Sequence, residues 1–200
     1  MRNWTRLKRQ LLLDCSPWLR IYQDDLLLPN GQRIHEYYHI ESRDFVVICA
    51  FTTANELLAL KGYKYALQQE DLQLPAGYLE DGEDPLAAAQ RELLEETGYL
   101  SQNWLTLGSA IVDGNRGNGA GHFFLAADAH IYQQPRSGDL EEHELLLIPR
   151  MSIPKLIIQG QFQQQGTLAC LAYVLAQTLP QPATPAAAPQ RAALDALPPP

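Results

Sequence analysis

Three carboxylates lie close together in the sequence, at Glu92, Glu95 and Glu96. In a helix, residues three and four apart share one side, so all three side chains would face the same direction. Like charges at this spacing destabilise an isolated helix by roughly 0.2–0.5 kcal/mol per pair. Such a cluster either faces solvent or binds a cation, and its hard oxygen ligands suit Mg²⁺ or Mn²⁺ rather than zinc. It is therefore a candidate metal site.

The element that carries these carboxylates is a well-marked helix. Asp84 is a typical N-cap residue, and Pro85 suits the first helical position. No Gly or Pro interrupts the segment before Gly98, a typical residue for ending a helix. The side opposite the carboxylates is apolar and predicts packing on a sheet; it consists of Leu86, Ala89, Leu93 and Leu94.

Glycines in front of the helix complete a recognisable pattern. Gly77 and Gly82 predict a tight loop, closed by Glu83, whose backbone could lie beside a metal ion and phosphates. The whole segment 77–99 resembles the signature of Nudix hydrolases. All nine fixed positions of that signature match, namely Gly77, Glu83, Arg91, Glu92, Leu93, Glu95, Glu96, Gly98 and Tyr99. The alternative interpretation is an ordinary amphipathic helix with a solvated charged side, but the loop residues are in register with the helix.

The resemblance implies an α/β fold of the Nudix type, an α/β/α sandwich with a mixed β-sheet, in which the signature forms a loop, a helix and a loop. It also implies magnesium-dependent hydrolysis of a pyrophosphate, with Mn²⁺ as a possible substitute. Bound Mg²⁺ would neutralise and orient a diphosphate and would lower the pKa of a bound water.

The same resemblance implies roles for individual residues. Glu92, Glu95 and Glu96 match the metal-binding carboxylates, and the carbonyl of Ala76 is a further expected ligand. A carboxylate near the activated water, for which Glu95 is a candidate, can act as general base. Arg91 matches a residue that orients a glutamate, either Glu83 or Glu95, by bidentate pairing, with a second role toward the substrate.

Wider features resemble the ADP-ribose pyrophosphatase branch of the family over roughly residues 15–179. They are the turn at 28–31 (LPNG), the end of a strand at 60–65 (LKGYKY), the segment 72–77 (LQLPAG), and Gly160 with residues 167–169. This resemblance implies cleavage of a nucleoside diphosphate sugar, with ADP-ribose giving AMP and ribose 5-phosphate. Lys64 and Gly77 are then expected to contact the substrate.

Some positions depart from that branch. Gly62 replaces a usual Gln, Lys64 a usual Arg and Gln73 a usual Glu, and Gly114 stands where a Pro is frequent. The glycine-rich segment 114–121 lacks the spacing and the Lys-Ser/Thr of a phosphate-binding Walker loop. It is either a flexible hairpin connection or a loop from which Arg116 reaches a phosphate or ribose.

An acidic segment at 139–144 lies where relatives carry a catalytic glutamate on a loop. Glu141 and Glu142 are the candidates, and a solvated acidic loop is the alternative for each. His122, His130 and His143 are scattered and form no set of metal ligands in the sequence.

The remaining pattern predicts the supporting elements. Strands are expected at 45–51 and 56–60, the second as hairpin partner of the first, then at 72–74, 105–113, 122–132 and 144–148, with helices at 152–159 and 167–179. We divide the chain into a β-rich N-terminal arm at 1–40, a Nudix hydrolase domain at 41–179 and a disordered tail at 180–200, which holds seven of the 14 prolines.

Bulk composition narrows the partners. The formal net charge of −8 argues against a nucleic-acid partner bound through a basic surface. Three widely spaced cysteines suggest neither disulfides nor zinc, and the absence of a long apolar run or a signal-peptide core argues for no membrane partner and a cytoplasmic location.

The N-terminal arm predicts self-association. Its aromatic residues, Trp4, Trp18, Tyr22, Tyr37 and Tyr38, suit an interface core, and the resembling branch is dimeric through such an arm, which also helps to form the substrate pocket. Completing the monomer core is the alternative. Two other functions stay open: a nucleoside triphosphate sanitising pyrophosphatase, and a non-catalytic module that binds nucleotide sugars.

Overall fold

The computed structural model describes residues 3–136, 138 and 142–177. Within them the strands are β1 Thr5–Cys15, β2 Leu19–Leu27, β3 Arg33–Ser42, β4 Phe45–Thr52, β5 Glu56–Lys64, β6 Gln69–Gln73, β7 Ala76–Tyr78, β8 Tyr99–Leu100, β9 Asn103–Asp113, β10 Gly117–Ile131 and β11 His143–Pro149. The helices are α1 Pro85–Thr97, α2 Ile153–Ile158 and α3 Gln165–Gln177, with a short 3-10 turn at Arg150–Ser152. The predicted disordered tail and Glu141 lie outside the described residues.

The strands form one mixed sheet, in the order β1-β2-β3-β10-β4-β5-β11. Strand β10 runs parallel to both β3 and β4, whereas the other pairings are antiparallel. Strands β6 and β7 add to the edges of β5 and β4, and β8 and β9 pair with β10. The sheet therefore places β4, the predicted buried strand, beside the loop that precedes α1.

Strand β4 explains the layered core. Its residues from Val46 to Phe51 are all at most 4% exposed, and successive side chains point to opposite faces of the sheet. Val47, Cys49 and Phe51 pack with α2 and α3, whereas Val46, Ile48 and Ala50 pack with α1. The continuous apolar run was predicted to be buried, and it is covered on both faces, which makes the predicted α/β/α sandwich.

Helix α1 has the ends that the sequence predicted. The Asp84 side chain accepts hydrogen bonds from the backbone N–H groups of Leu86 and Ala87, and Gly98 adopts the left-handed conformation with φ of 75°. The helix packs on the sheet through Ala88, Ala89 and Leu93, all fully buried. Leu94, expected on this apolar side, is only half-buried, because its position is turned away from the sheet centre.

One predicted pairing is confirmed over a short stretch. Strand β5 was predicted as the hairpin partner of β4, and the two are consecutive antiparallel neighbours that share a single register pair, Phe51 with Leu57. Strand β7 occupies the edge of β4, pairing Phe45 with Tyr78 and Val47 with Ala76. Strand β5 turns away and pairs along its length with β6 and β11, which opens a space between the two halves of the sheet.

The glycine-rich segment connects the arm to the rest of the sheet through backbone contacts. The backbone N–H of Ile40 donates to the carbonyl of Arg116 at 2.8 Å, and Gly117 pairs with Ile40 in the sheet. A side chain at Gly119, whose φ is 75°, would begin 2.5 Å from the carbonyl oxygen of Arg43. Glycine is required there for both its backbone conformation and its small size.

Strands β1 to β3 form the predicted β-rich arm as an antiparallel meander, and β3 continues to Ser42. Arg9 on β1 makes a bidentate ion pair with the buried carboxylate of Asp24 on β2, at 2.7 and 2.6 Å. Every residue of β1 is exposed. In the described part of the chain, no helix is long and apolar enough to cross a membrane.

Candidate active site

Helix α1 holds two glutamates against the strand that follows β6. Glu92 and Glu96 lie one turn apart, and each is only 8% exposed. The carboxylate of Glu96 accepts a hydrogen bond from the backbone N–H of Ala76 at 2.8 Å. The carboxylate of Glu92 lies directly on Gly77, since a methyl group added there would begin 2.0 Å from Oε1. Two nearly buried carboxylates therefore converge on the short backbone segment from Ala76 to Gly77.

Arg91 is the organising cation of this region. Its Nε and Nη2 donate to the two oxygens of Glu83 at 2.9 and 3.0 Å, which is a bidentate pair. Its Nη1 donates to Glu92 at 2.6 Å and to Glu95 at 3.1 Å. Nη2 also donates to the carbonyl of Tyr78 at 3.1 Å. A guanidinium has five N–H donors, and these bonds use all five. Arg91 is thus a scaffold that fixes three carboxylates and the loop.

These bonds perturb the charges in the direction that ion pairing predicts. The hydrogen bond from Arg91 holds the pKa of the Glu83 carboxyl below its ordinary range. The same hydrogen bond, to the Glu83 carboxylate, raises the pKa of Arg91. Both shifts favour the charged forms, and the loop 77–83 is tied to the helix by charge-assisted bonds.

The two buried glutamates line a cavity of about 860 Å³. Along its floor, the chain from Gln73 to Tyr78 spans at most roughly 17 Å, and Ala76 and Gly77 lie in the middle. The described residues that line the cavity are Trp18, Arg43, Phe45, Lys64, Gln73, Ala76, Gly77, Tyr78, Glu80, Arg91, Glu92, Glu96, Gly138, His143 and Gln164. The volume is within the range of small-molecule and cofactor sites.

The two ends of this cavity differ in chemistry. At the arm end, Trp18 and Tyr78 form an edge-to-face pair with ring centroids 6.4 Å apart, and the Arg43 guanidinium lies 5.7 Å from the Trp18 ring centroid. Both rings are more than half exposed, so their faces can receive a planar ligand. At the other end, where β5, β6 and β11 meet, the lining is mainly of amides and an imidazole, from Gln73, Gln164 and His143.

The residues at the centre fit a divalent cation of the magnesium type. Glu92 and Glu96 offer hard carboxylate oxygens next to the Ala76 backbone, and both line the cavity. Among the described residues, no group of three or more Asp, Glu, His or Cys side chains is already assembled for a metal. One or two carboxylates with water and substrate phosphates are the usual Mg²⁺ environment, so two carboxylates and a carbonyl suffice.

A comparison with known families agrees with this geometry. The model of the NUDIX domain family matches residues 42–161, which is more than half of the chain. The chain belongs to the Nudix family.

Individual relatives refine the comparison. This Nudix protein is 27% identical over 157 residues to the ADP-ribose pyrophosphatase of Bacillus subtilis, a match that covers 77% of this chain and 83% of the relative. It is 32% identical over 99 residues to the ADP-sugar pyrophosphatase of Mus musculus, covering 47% and 45%. A crystal structure of an ADP compounds hydrolase superposes with a TM-score of 0.77 at 20% identity, covering 87% of this chain and 93% of that one, which shows a shared fold.

The structure brings only part of the predicted site together. Of the residues predicted from the Nudix signature and branch, the cavity lining includes Ala76, Gly77, Arg91, Glu92, Glu96 and Lys64. Glu95 is not among the lining residues: its side chain is 44% exposed and is held by Arg91 at the helix surface. Its predicted roles as metal ligand and base therefore have less geometric support than those of Glu92 and Glu96.

Two other predicted residues lie elsewhere in this chain. Arg116 is exposed in the β9–β10 turn, beside β3 of the arm, and does not line the cavity. Glu142 is exposed just before β11 and lines a neighbouring hollow with Lys61, Gly62 and Glu70. Glu141, the other candidate on that segment, is outside the described residues.

The sequence did not single out most of the cavity wall. In the sequence His143 is one of three scattered histidines. In the structure it lines the cavity, and its Nε2 atom lies 2.9 Å from Gln73 Nε2. Gln73 had been noted as a departure from the branch pattern, and Trp18 only as an arm aromatic. The signals existed singly, but nothing in the sequence placed residues 18, 73, 143 and 164 around one space.

Proposed function

We propose that this Nudix protein hydrolyses the pyrophosphate bond of a nucleoside diphosphate sugar, with Mg²⁺, and that ADP-ribose, giving AMP and ribose 5-phosphate, is the preferred substrate. The observation that carries the proposal is the order of contacts along the segment 73–78, which lines the cavity. Gln73 contacts the His143 imidazole, Ala76 and Gly77 contact the carboxylates of Glu96 and Glu92, and Tyr78 contacts the Trp18 ring. A nucleoside diphosphate sugar has the same order of sugar, diphosphate and base.

Each part of the cavity then has a defined task. The Trp18 and Tyr78 rings contact the base by face-to-face or edge-to-face stacking. Aromatic rings bind planar bases in this way without requiring specific hydrogen bonds. Glu92 and Glu96 bind Mg²⁺, together with the Ala76 carbonyl, and Arg91 keeps Glu92 in place. When bound, Mg²⁺ neutralises the diphosphate and activates a water for attack. Lys64 contacts the phosphate nearer to the sugar.

The names of relatives support this substrate class. The Bacillus subtilis relative is an ADP-ribose pyrophosphatase and covers most of this chain, and the mouse relative is an ADP-sugar pyrophosphatase.

The general base is Glu142, Glu141 or Glu95, of which Glu95 is the one fixed by Arg91. The formal net charge of −8 disfavours binding of a nucleic-acid backbone, so we propose no nucleic-acid partner.

The test is a substrate panel. Purified protein is incubated with ADP-ribose, other nucleoside diphosphate sugars and nucleoside triphosphates, with Mg²⁺ and with EDTA, and nucleotide products are separated by chromatography. We expect AMP from ADP-ribose in the presence of Mg²⁺ only. Preferential release of pyrophosphate from a triphosphate would instead identify a sanitising pyrophosphatase. Tight binding of ADP-ribose without turnover would identify a binding module.

We also propose a homodimer formed through the arm. Strand β1 is an exposed edge strand of 11 residues, and exposed apolar side chains cluster on and beside it: Trp4, Leu7, Leu11, Leu12 and Leu13. The unpaired backbone of an edge strand and its exposed apolar side chains offer a surface that a second copy of the chain can cover. Free Cys15, Cys49 and Cys170 agree with a reducing compartment such as the cytoplasm.

Light scattering at micromolar concentration checks the dimer. We expect a mass of about two chains for the wild type, and of one chain for Leu11→Lys, because a charge would be buried in the interface. The matched control is Gln10→Lys, which adds the same charge at the adjacent residue of β1 without removing an apolar group. A wild-type mass of one chain would refute the dimer.

A further inference from the structure

A directional chain of hydrogen bonds forms one end of the cavity. We call its four members, Asp71, Gln164, Gln73 and His143, the amide relay. Gln164 Nε2 donates to Asp71 Oδ2 at 3.1 Å and to Gln73 Oε1 at 2.7 Å. Gln73 Nε2 lies 2.9 Å from His143 Nε2. Asp71 and Gln73 are only 3% and 6% exposed, whereas Gln164 and His143 are half-buried, so the chain runs from the interior to the cavity wall.

The donor and acceptor in each bond follow from Asp71. Its carboxylate only accepts, and it is further held by the backbone N–H of Gln163 at 3.0 Å, so the Gln164 atom facing it is the NH₂ group. The same NH₂ group faces Gln73, which fixes the Gln73 oxygen on that side. The Gln73 NH₂ group then faces His143, and an amide nitrogen only donates. His143 therefore accepts at Nε2 and carries its proton on Nδ1.

Gly62 makes room for this arrangement. In the sheet, Gly62 pairs with Asp71 on one side and with His143 on the other. A methyl group at Gly62 would begin 2.4 Å from His143 Cδ2, far inside a normal contact. Its φ is not in the left-handed range, so the glycine is needed there for space rather than for backbone conformation.

Three departures from the branch pattern thus lie together. Gly62, Lys64 and Gln73, which replace a usual Gln, Arg and Glu, are on β5 and β6. Gly62 and Gln73 lie against the His143 ring, and Lys64 lines the same cavity. The changes at 62 and 73 are coupled, because a larger residue 62 would displace the ring and a carboxylate at 73 could not donate to its Nε2. The departures are one rearrangement of one end of the cavity.

We propose that the amide relay is the specificity-determining surface for the sugar of the leaving group, and this proposal rests on the proposed hydrolysis of a nucleoside diphosphate sugar. Gln73, Gln164 and His143 all line the cavity at the end opposite the aromatic rings. They offer neutral donors and acceptors in fixed directions, and a sugar hydroxyl both donates and accepts. The buried Asp71 carboxylate sets these directions without lining the cavity itself.

The kinetic test removes the link between Asp71 and Gln73. Gln164→Met keeps the length of the side chain but donates to neither partner. The matched control is Gln163→Met. The hydrogen bond from Gln163 to Asp71 comes from the backbone N–H, which this substitution keeps. We expect KM for ADP-ribose to rise about tenfold in Gln164→Met, the value of one neutral hydrogen bond, with kcat changed by less than about threefold. KM for ADP, which has no sugar beyond its diphosphate, should change by less than about twofold.

Equal changes in KM for ADP-ribose and ADP would overturn the proposal, as would an equal effect of Gln163→Met. If the wild type releases AMP from ADP but from no nucleoside diphosphate sugar, the proposed function and the sugar assignment both fail. Titration with ribose 5-phosphate gives a readout without turnover, and its affinity should fall about tenfold in Gln164→Met while that of AMP is unchanged.

A spectroscopic test addresses the relay whatever the substrate is. The ¹⁵N spectrum of the imidazoles at pH 8, with His143 assigned by its loss in His143→Phe, should show the proton on Nδ1 and an unprotonated Nε2. Gln73→Leu should return His143 to the ordinary mixture with the proton mainly on Nε2. A wild-type His143 already protonated at Nε2 would overturn the directional assignment.

Discussion

We expect Gly77→Ala to remove most of the activity while leaving the fold intact. The added methyl carbon would begin 2.0 Å from Glu92 Oε1, 2.1 Å from Cδ and 2.4 Å from Oε2. Ordinary contact begins at 3.4 Å, so the carboxylate must retreat by about 1.4 Å. A displacement of about 1 Å at a reacting centre can cost 100-fold in rate, and we expect a fall in kcat of at least about that size.

The fold should tolerate this substitution. Gly77 does not have a left-handed φ, so alanine fits its backbone. The clashing atoms are the end of a flexible side chain, whose distortion costs roughly 0.5–1.5 kcal/mol and is partly offset by the lower backbone entropy of alanine in the unfolded chain. For a chain of this size the melting temperature should shift by less than about 4 °C.

The assay is AMP release from ADP-ribose at saturating Mg²⁺, with calorimetry on the same preparations. Gly114→Ala is the matched control, because nothing lies within 4 Å of the methyl group it would add and its φ is ordinary. A Gly77→Ala protein with wild-type kcat and wild-type Mg²⁺ affinity would show that the position of Glu92 against Gly77 has no part in the reaction.

Three further predictions follow from the same contacts. Glu96→Gln keeps an oxygen that can accept the Ala76 N–H but loses the charge, so turnover should fall at least about 100-fold while the melting temperature without metal holds; near-normal turnover would contradict the assignment. Chelation should abolish turnover and lower the melting temperature, because Mg²⁺ at 100 times its Kd stabilises a site by about 2.7 kcal/mol; identical melting curves with Mg²⁺ and EDTA would contradict this. The hydrogen bond from Arg9 holds the pKa of Asp24 below its ordinary value, so that stabilisation is full above pH about 4 and is lost as the pH falls through the lower folded value. Urea unfolding should show Asp24→Asn to be less stable than wild type by about 1.5–3 kcal/mol at pH 7, with the gap closing as the pH falls through the lowered folded pKa of Asp24.

Local signals made helix α1 predictable. The cap at Asp84, the stop at Gly98 and the periodic apolar side are all contained within the helix and its ends, and the structure has each of them. Strand β4 was equally clear, because a run buried on both faces needs no alternation. In each case the residues that determine the element are neighbours in the chain.

Pairing between strands was less predictable. The predicted hairpin of β4 with β5 forms, but it is confined to one register pair, and β7, only three residues long, pairs with the other end of β4. Nothing local indicates that pairing, since it depends on where Pro75 and the following residues meet the sheet. The start of β4 at Phe45 and the end of β5 at Lys64 both line the cavity.

The charges around that space explain why the signature alone was a good guide to chemistry and a poor guide to specificity. Arg91 is the signature's cation in the cavity lining, but its five N–H donors are all used in hydrogen bonds to Glu83, Glu92, Glu95 and the Tyr78 carbonyl. It therefore cannot receive a diphosphate without releasing the carboxylates that it positions.

Two other cations, Arg43 and Lys64, line the described part of the cavity, together with the carboxylates of Glu80, Glu92 and Glu96. With Arg91 included, the described lining has three cations and three carboxylates, so it offers no excess of positive charge to a diphosphate. A divalent cation held by Glu92 and Glu96 would supply the missing positive charge, and it would do so for any diphosphate. Discrimination among substrates must then come from the two ends of the cavity. Apart from Tyr78 their residues lie outside the signature, and at the amide end this chain departs from its branch.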